Sequence, residues 1–231
     1  MSPPEIDVEA VAARLALVRA RIDAVTTDPS AVRLVAVTKG FGVDAVDAAL
    51  GLGLTDIGEN YADELLSKSV STDGATWHFL GRVQRNKVGR LAPVVGCWQG
   101  VCRVEEGRAI AARHPGASVL VQVDLAGIAG RNGCDPGQVP ELIRALRDED
   151  LDVAGLMAVG PPGPPETARA GFRSVAALAD RLDLPIRSMG MTDDLEVALS
   201  EGSTMVRLGR ALFGDRPPKE RGDHDRSGVP G

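Results

Sequence analysis

Aromatic side chains are scarce in this chain: Phe, Trp and Tyr make up 3% of its 231 residues, and Tyr61 is the single tyrosine. Any chemistry that needs a phenol must therefore find it in Tyr61. Cysteine is also sparse. Cys97, Cys102 and Cys134 are odd in number and lack the paired spacing of a metal site, and no His/Cys/Asp cluster has ligand spacing, so no metal is expected. The three thiols are read as structural. A net charge of −6 argues against a general nucleic-acid or anionic-membrane binder, yet it leaves room for a local basic pocket. No apolar run approaches the length of a membrane span, and no early segment pairs basic residues with an apolar stretch as a signal peptide does. A reduced, cytoplasmic location is the expectation.

What the chain does have is a hydrophobic content of 44%, enough for a proper core. The stretch around which it is organised is Leu34-Val35-Ala36-Val37-Thr38-Lys39-Gly40. Its uninterrupted apolar run reads as a strand buried on both faces. Lys39 then lies at the C-terminal mouth of that strand, where α/β folds place ligands. Apolar walls around an amine disfavour its charged form, and only the neutral amine attacks an aldehyde.

Strands and helices alternate along the rest. An amphipathic helix is expected over 5–26, with Val8, Val11, Leu15, Val18, Ile22 and Val25 as its apolar face and Arg21 pointing outward. Strands are expected at 33–38, 55–58, 77–80, 94–101, 118–124, 153–158, 185–188 and 204–208, with helices between them. Strict alternation implies a parallel sheet, because right-handed crossovers need intervening helices. Eight units in this length predict a single (β/α)₈ barrel with an extra N-terminal helix over 1–214, and an open doubly wound sheet is the alternative. From Asp215 the polar, Pro/Gly-rich tail to Gly231 is expected to be disordered.

In a barrel, the strand C-termini bring Lys39, Glu59, Asn60, His78, Asp124, Met157, Ser188 and Arg207 to one mouth. Such a set suits an anionic ligand that bears a carbonyl. Ser188-Met189-Gly190-Met191-Thr192-Asp193-Asp194 is a strand end followed by a helix start, where Gly190 permits close backbone approach and Thr192 offers a hydroxyl. An ordinary N-cap explains the Thr/Asp pair equally well. Arg207-Leu208-Gly209-Arg210 repeats the pattern, and barrels commonly bind phosphate after strands seven and eight. Other residues have plainer readings. His78 suits a core histidine as well as a ligand neighbour, Trp77 and Trp98 suit packing, and Glu59 suits orienting the backbone or Lys39. The basic run Arg82, Arg85, Lys87, Arg90 suits a solvated helix face, with Lys87 as a candidate second reactive amine.

Taken in order, Val37-Thr38-Lys39, Gly58-Glu59-Asn60-Tyr61, Trp77-His78-Phe79-Leu80-Gly81 with Gln84 and Asn86-Lys87, Gly155-Leu156-Met157, Ser188-Met189-Gly190-Met191 with Asp194, and Glu201–Gly209 resemble the pyridoxal phosphate homeostasis proteins. These share the barrel of alanine racemase's N-terminal domain, and the resemblance covers roughly residues 5–214. It implies that Lys39 holds pyridoxal 5′-phosphate (PLP) as an internal aldimine. It implies that Thr192, Gly209 and adjacent N–H groups, flanked by Ser188, Gly190, Met191 and Arg210, hold the phosphate. Arg207 would face the pyridine nitrogen and Asn60 would lie near the ring. The chain departs from the family pattern at Thr192, where serine is usual, at Arg210, where a small or hydroxyl residue is common, and at Arg131, where lysine is frequent.

An arginine facing the pyridine nitrogen leaves that nitrogen neutral and weakens the ring as an electron sink. In alanine racemase a tyrosine from a C-terminal β-domain supplies a second acid/base; this chain is read as ending with its barrel. Tyr61 is placed in the second βα loop. The expectation is thus an intracellular PLP buffer or carrier that serves PLP-requiring apoenzymes, without robust turnover, and monomeric. A PLP-dependent amino-acid racemase is the alternative. A barrel that binds a phosphorylated metabolite without a covalent link is a third reading.

Overall fold

A computed structural model describes residues 6–127 and 132–216. Eight strands form a closed parallel barrel in sequential order, β8 pairing with β1. They are β1 Arg33–Val37, β2 Asp56–Glu59, β3 Thr76–Phe79, β4 Val95–Val101, β5 Ser118–Val123, β6 Asp152–Ala158, β7 Ile186–Ser188 and β8 Met205–Leu208. Helix α1 (Val8–Asp23) precedes β1. The others follow the strands in turn: α2 Val43–Gly51, α3 Ala62–Ser69, α4 Arg85–Leu91, α5 Val104–Ala111, α6 Val139–Asp148, α7 Arg169–Arg181, α8 Leu195–Ser200 and α9 Arg210–Phe213. The barrel was expected and the open sheet is ruled out by the β8–β1 pairing. The expected disordered tail begins with Asp215 and Arg216, which the structure describes, while residues 217–231, like Arg131, lie outside the described residues.

The N-terminal helix is shorter than its apolar pattern suggested. Asp7 caps it by accepting the Ala10 N–H at 3.0 Å, and Val11, Leu15, Val18 and Ile22 form the buried stripe. Val8, expected on that face, sits in the first turn and is half exposed. The helix packs along the barrel's flank against α2, α8 and α9. Arg21, expected to face outward, is partly exposed and pairs with Glu196 of α8.

Period-two alternation divides the strand side chains into two sets. One set faces the helices and joins the main core: Ala36, Ile57, Trp77, Phe79, Trp98, Val119, Val121, Leu156 and Leu208 belong to it. The other fills the barrel: Val35, Cys97, Leu120, Met157 and Met205 form a small inner cluster. The three cysteines are free and buried. Burial pushes the Cys97 thiol up to about 12 and the Cys102 thiol up to about 11, so neither is a thiolate at neutral pH. Among the described residues no helix is long and apolar enough to cross a membrane, and no group of three or more His, Cys, Asp or Glu side chains is placed to hold a metal.

Candidate functional site

The same parity aims Lys39. Val35 points inward, so Val37 and Lys39 continue on that side; on β8, Met205, Arg207 and Gly209 do likewise. Val35 stands opposite Arg207 in the ladder, which sets Lys39 higher in the mouth than the guanidinium. A cavity of about 620 Å³ opens there, with Lys39, Asn60, Met157, Met191, Thr192, Arg207, Gly209 and Arg210 among its lining residues. Seven of the nine expected binding residues therefore converge on one space.

Lys39 lies in a tight turn closed by the Phe41 N–H to the Thr38 carbonyl at 3.0 Å. Gly40 takes the left-handed conformation (φ +78°) that the third position of such a turn requires. Burial lowers the affinity of the Lys39 amine for a proton, and the positive charges of Arg216 and Arg207 push the same way; Glu59 and Glu64 oppose them. The amine is thus kept below the ordinary lysine range.

Arg207 is 5% exposed. Nη1 donates to the Ser188 carbonyl at 2.6 Å and to Ser188 Oγ at 2.7 Å, and Nη2 donates to the Ala158 carbonyl at 2.8 Å. Burial pushes its pKa down to about 10, so it stays a cation at neutral pH. Beneath it runs a chain of hydrogen bonds through the barrel. Ser188 Oγ donates to Gln99 Oε1 at 2.7 Å, Gln99 Nε2 lies 2.7 Å from His78 Nδ1, and His78 Nε2 lies 2.7 Å from Asp56 Oδ1. With His78 carrying its proton on Nε2, every bond donates in one direction, from Arg207 down to the Asp56 carboxylate. Such an aligned chain polarises its members cooperatively. His78 is thus a satisfied interior histidine that does not reach the cavity.

Two expected binding residues do not line the cavity. Ser188 is fully buried and engaged with Gln99 and Arg207, so it holds the arginine in place. Gly190 adopts φ +92°, and a Cβ there would lie 2.6 Å from that of Ala198. Its freedom serves packing against α8, and its carbonyl accepts the Arg207 N–H at 3.0 Å. Glu59 is another mouth candidate that parity turns away: it faces α3, where Oε1 accepts from Thr38 Oγ1 at 2.8 Å and from Lys68 Nζ at 2.5 Å. Asp124 closes its own loop by accepting the Ala126 and Gly127 N–H groups.

On the anion side, Thr192 Oγ1 accepts the Ala211 N–H at 3.2 Å, joining the loop after β7 to α9. The Thr192 carbonyl in turn accepts from Arg21 Nη2 at 3.0 Å, so α1 braces this loop. Arg210 is paired with Asp193 at the rim. Asn60 Oδ1 is buried and has no hydrogen-bond partner among the described residues, although its side chain borders the cavity. A polar atom held so is poised for a ligand donor. Lys87 lies away from the cavity and pairs with Asp63 at 3.2 Å.

Sequence reasoning missed Lys68, Gln99 and the bracing role of Arg21. Lys68 carried a readable signal, because it falls on the apolar stripe of α3 with Ala62 and Leu65. Gln99 shares strand parity with Cys97. Nothing local marked Arg21. Asp215 and Arg216 also border the cavity, where a disordered tail was expected to begin.

Residues 6–217 match the family model of the alanine racemase N-terminal domain. The chain is 37% identical over 220 residues to the pyridoxal phosphate homeostasis protein of Pseudomonas aeruginosa, covering 89% of this chain and 96% of that one. It is 33% identical over 230 residues to the Escherichia coli K12 protein of the same name, covering 89% and 97%. Among solved structures, PipY of Synechococcus elongatus with PLP bound superposes with a TM-score of 0.75 at 27% identity, covering 88% of this chain and all of that one. The alanine racemase of Clostridium difficile shares the fold, with a TM-score of 0.75 at 15% identity, over 93% of this chain and 59% of that one. By sequence over nearly its full described length, the chain belongs to the pyridoxal phosphate homeostasis proteins, built on the alanine racemase N-terminal domain.

Proposed function

We propose that this protein binds pyridoxal 5′-phosphate through Lys39 and serves intracellular PLP homeostasis by holding the cofactor and handing it on. The observation that carries the reading is a desolvated amine on a pinned turn, facing a mouth that also presents Thr192, Gly209 and three arginines. When bound, the cofactor supplies an aldehyde that condenses with a primary amine. The residues fit it: Thr192, Gly209 and neighbouring N–H groups would hold its phosphate, Asn60 would offer it a buried acceptor, and Arg207 would present a cation to its ring nitrogen, where a carboxylate would favour strong electron withdrawal. Arg210, tied to Asp193, contributes positive potential at the rim.

The racemase alternative needs a second acid/base across the cofactor. Among the described residues that border the cavity there is no tyrosine, histidine or cysteine. Two carboxylates are there, Asp193 paired with Arg210 and Asp215 within the field of the same arginine. This favours a carrier with no robust turnover, working as a monomer in the cytoplasm and supplying PLP-requiring apoenzymes. Mixing the protein with PLP, reducing with borohydride and mapping peptides is the direct test, with modification of Lys39 expected and none in Lys39→Ala. A phosphopyridoxyl adduct on another lysine would remove Lys39 as the anchor, and no adduct with no long-wavelength absorbance would leave only a phosphate site. Chiral chromatography after incubation with L-amino acids tests turnover, and D-isomer formation that depends on Lys39 would favour the racemase.

A further inference from the structure

Both peptide groups that flank Lys39 are fastened from outside the cavity. On one side the Thr38 carbonyl accepts from Lys68 Nζ at 2.9 Å. On the other the Gly40 N–H donates to Glu64 Oε2 at 2.8 Å. Lys68 is the hub of the arrangement: its ammonium is 2.5 Å from Glu59 Oε1 and 3.6 Å from Glu64 Oε2, with its side chain 7% exposed. A buried ion pair is a weak source of stability, since apolar replacements of similar volume often serve as well. Its place directly behind the turn gives it another use.

We propose that Lys68 is a positioning residue for Lys39: its ammonium ties down the turn that carries Lys39 and keeps the buried Glu59 a carboxylate behind that turn. The proposal rests on Lys39 being the reactive amine. Glu59 has a second oxygen, Oε2, which is buried and unpartnered among the described residues. Burial raises its affinity for a proton, whereas Lys68 and Thr38 hold it toward the ionised form. The charges felt at Lys39 are Glu59 from β2, Glu64 from α3, Arg207 from β8 and Arg216 beyond α9, and Lys68 of α3 acts through the two carboxylates it pairs with. The two carboxylates favour the charged amine and the two arginines disfavour it. Without Lys68, burial leaves Glu59 to take up a proton itself, so a charge that favours the protonated Lys39 amine is lost and the field turns toward the neutral form.

Trace labelling with acetic anhydride between pH 7 and 11, with Lys39 read by peptide mass spectrometry, tests this without any cofactor. Lys68→Met is expected to lower the pH midpoint of Lys39 labelling by about one unit. Glu59→Gln combined with Lys68→Met should add nothing to that shift, and Lys68→Arg should leave the midpoint near that of the unaltered protein. An unchanged midpoint in folded Lys68→Met overturns the proposal. Should Lys68→Met fail to fold, Glu59→Gln alone decides: its midpoint should fall, and one that stays or rises overturns the proposal equally. If the midpoint moves as stated while PLP never attaches to Lys39, the functional reading fails and the positioning role stands.

Discussion

Lys39 shows how a single side chain acquires a chemistry its free form lacks. Burial and two arginines lower its pKa, so the neutral fraction at a given pH exceeds that of a solvent-exposed lysine. The sign fixes the pH profile. PLP attachment, followed by absorbance, should hold at pH values where a surface lysine is already fully protonated, then fail as pH falls through the lowered pKa. A profile that follows ordinary lysines would contradict the field described. Arg207 works in the opposite sense: it must remain charged while buried, and it does so by donating to two main-chain carbonyls. Arg207→Leu leaves the Ser188 and Ala158 carbonyls without those donors. The expected cost is about 2 to 6 kcal/mol at roughly 1 to 3 kcal/mol for each unsatisfied group, measurable by urea unfolding.

At the scale of elements, neighbouring helices position the cavity's loops. The bidentate contact of Arg21 with Glu196, together with its bond to the Thr192 carbonyl, couples α1 to the loop that offers the hydroxyl. Arg21→Ala should weaken PLP affinity several-fold in equilibrium titration, and the absorbance of the bound form should stay as before, because Lys39 is untouched. Farther round the barrel, Glu201 after α8 clasps Arg169 and Arg173 of α7. Those hydrogen bonds hold its carboxyl down to about 2. A depressed carboxylate contributes stability that is present above its unfolded pKa and lost as pH falls through the folded value. Thermal melts from pH 5 to pH 2 should therefore decline less steeply for Glu201→Gln than for the unaltered protein.

As a whole molecule, the barrel joins first and last strands, so the site is built from segments that are remote in the chain and cannot form before closure. Ligand binding should then stabilise the entire fold by mass action. At PLP concentrations near 100 times Kd the gain is about 2.7 kcal/mol, or on the order of 5 to 10 °C in Tm for a domain of this size. Differential scanning fluorimetry should show that rise, and its absence in Lys39→Ala. A Tm that PLP leaves unmoved would remove the binding proposal.

What could be read from sequence was local. The strand runs, the lysine that ends the first of them, the helix breaks and the two late strand–glycine–helix segments each lie within a dozen residues, and short-range periodicity encodes them. Parity was legible too, and stricter use of it would have turned Glu59 away from the mouth while keeping Asn60 there. Folding in space decided the partners. Ser188 meets Gln99 across 89 positions and Arg21 meets Thr192 across 171, because barrel closure and helix docking bring them together. Hydrogen bonds and desolvation depend on such neighbours, so the lysine was evident in the chain while its lowered proton affinity, and the buried Lys68 behind it, came only with the tertiary structure.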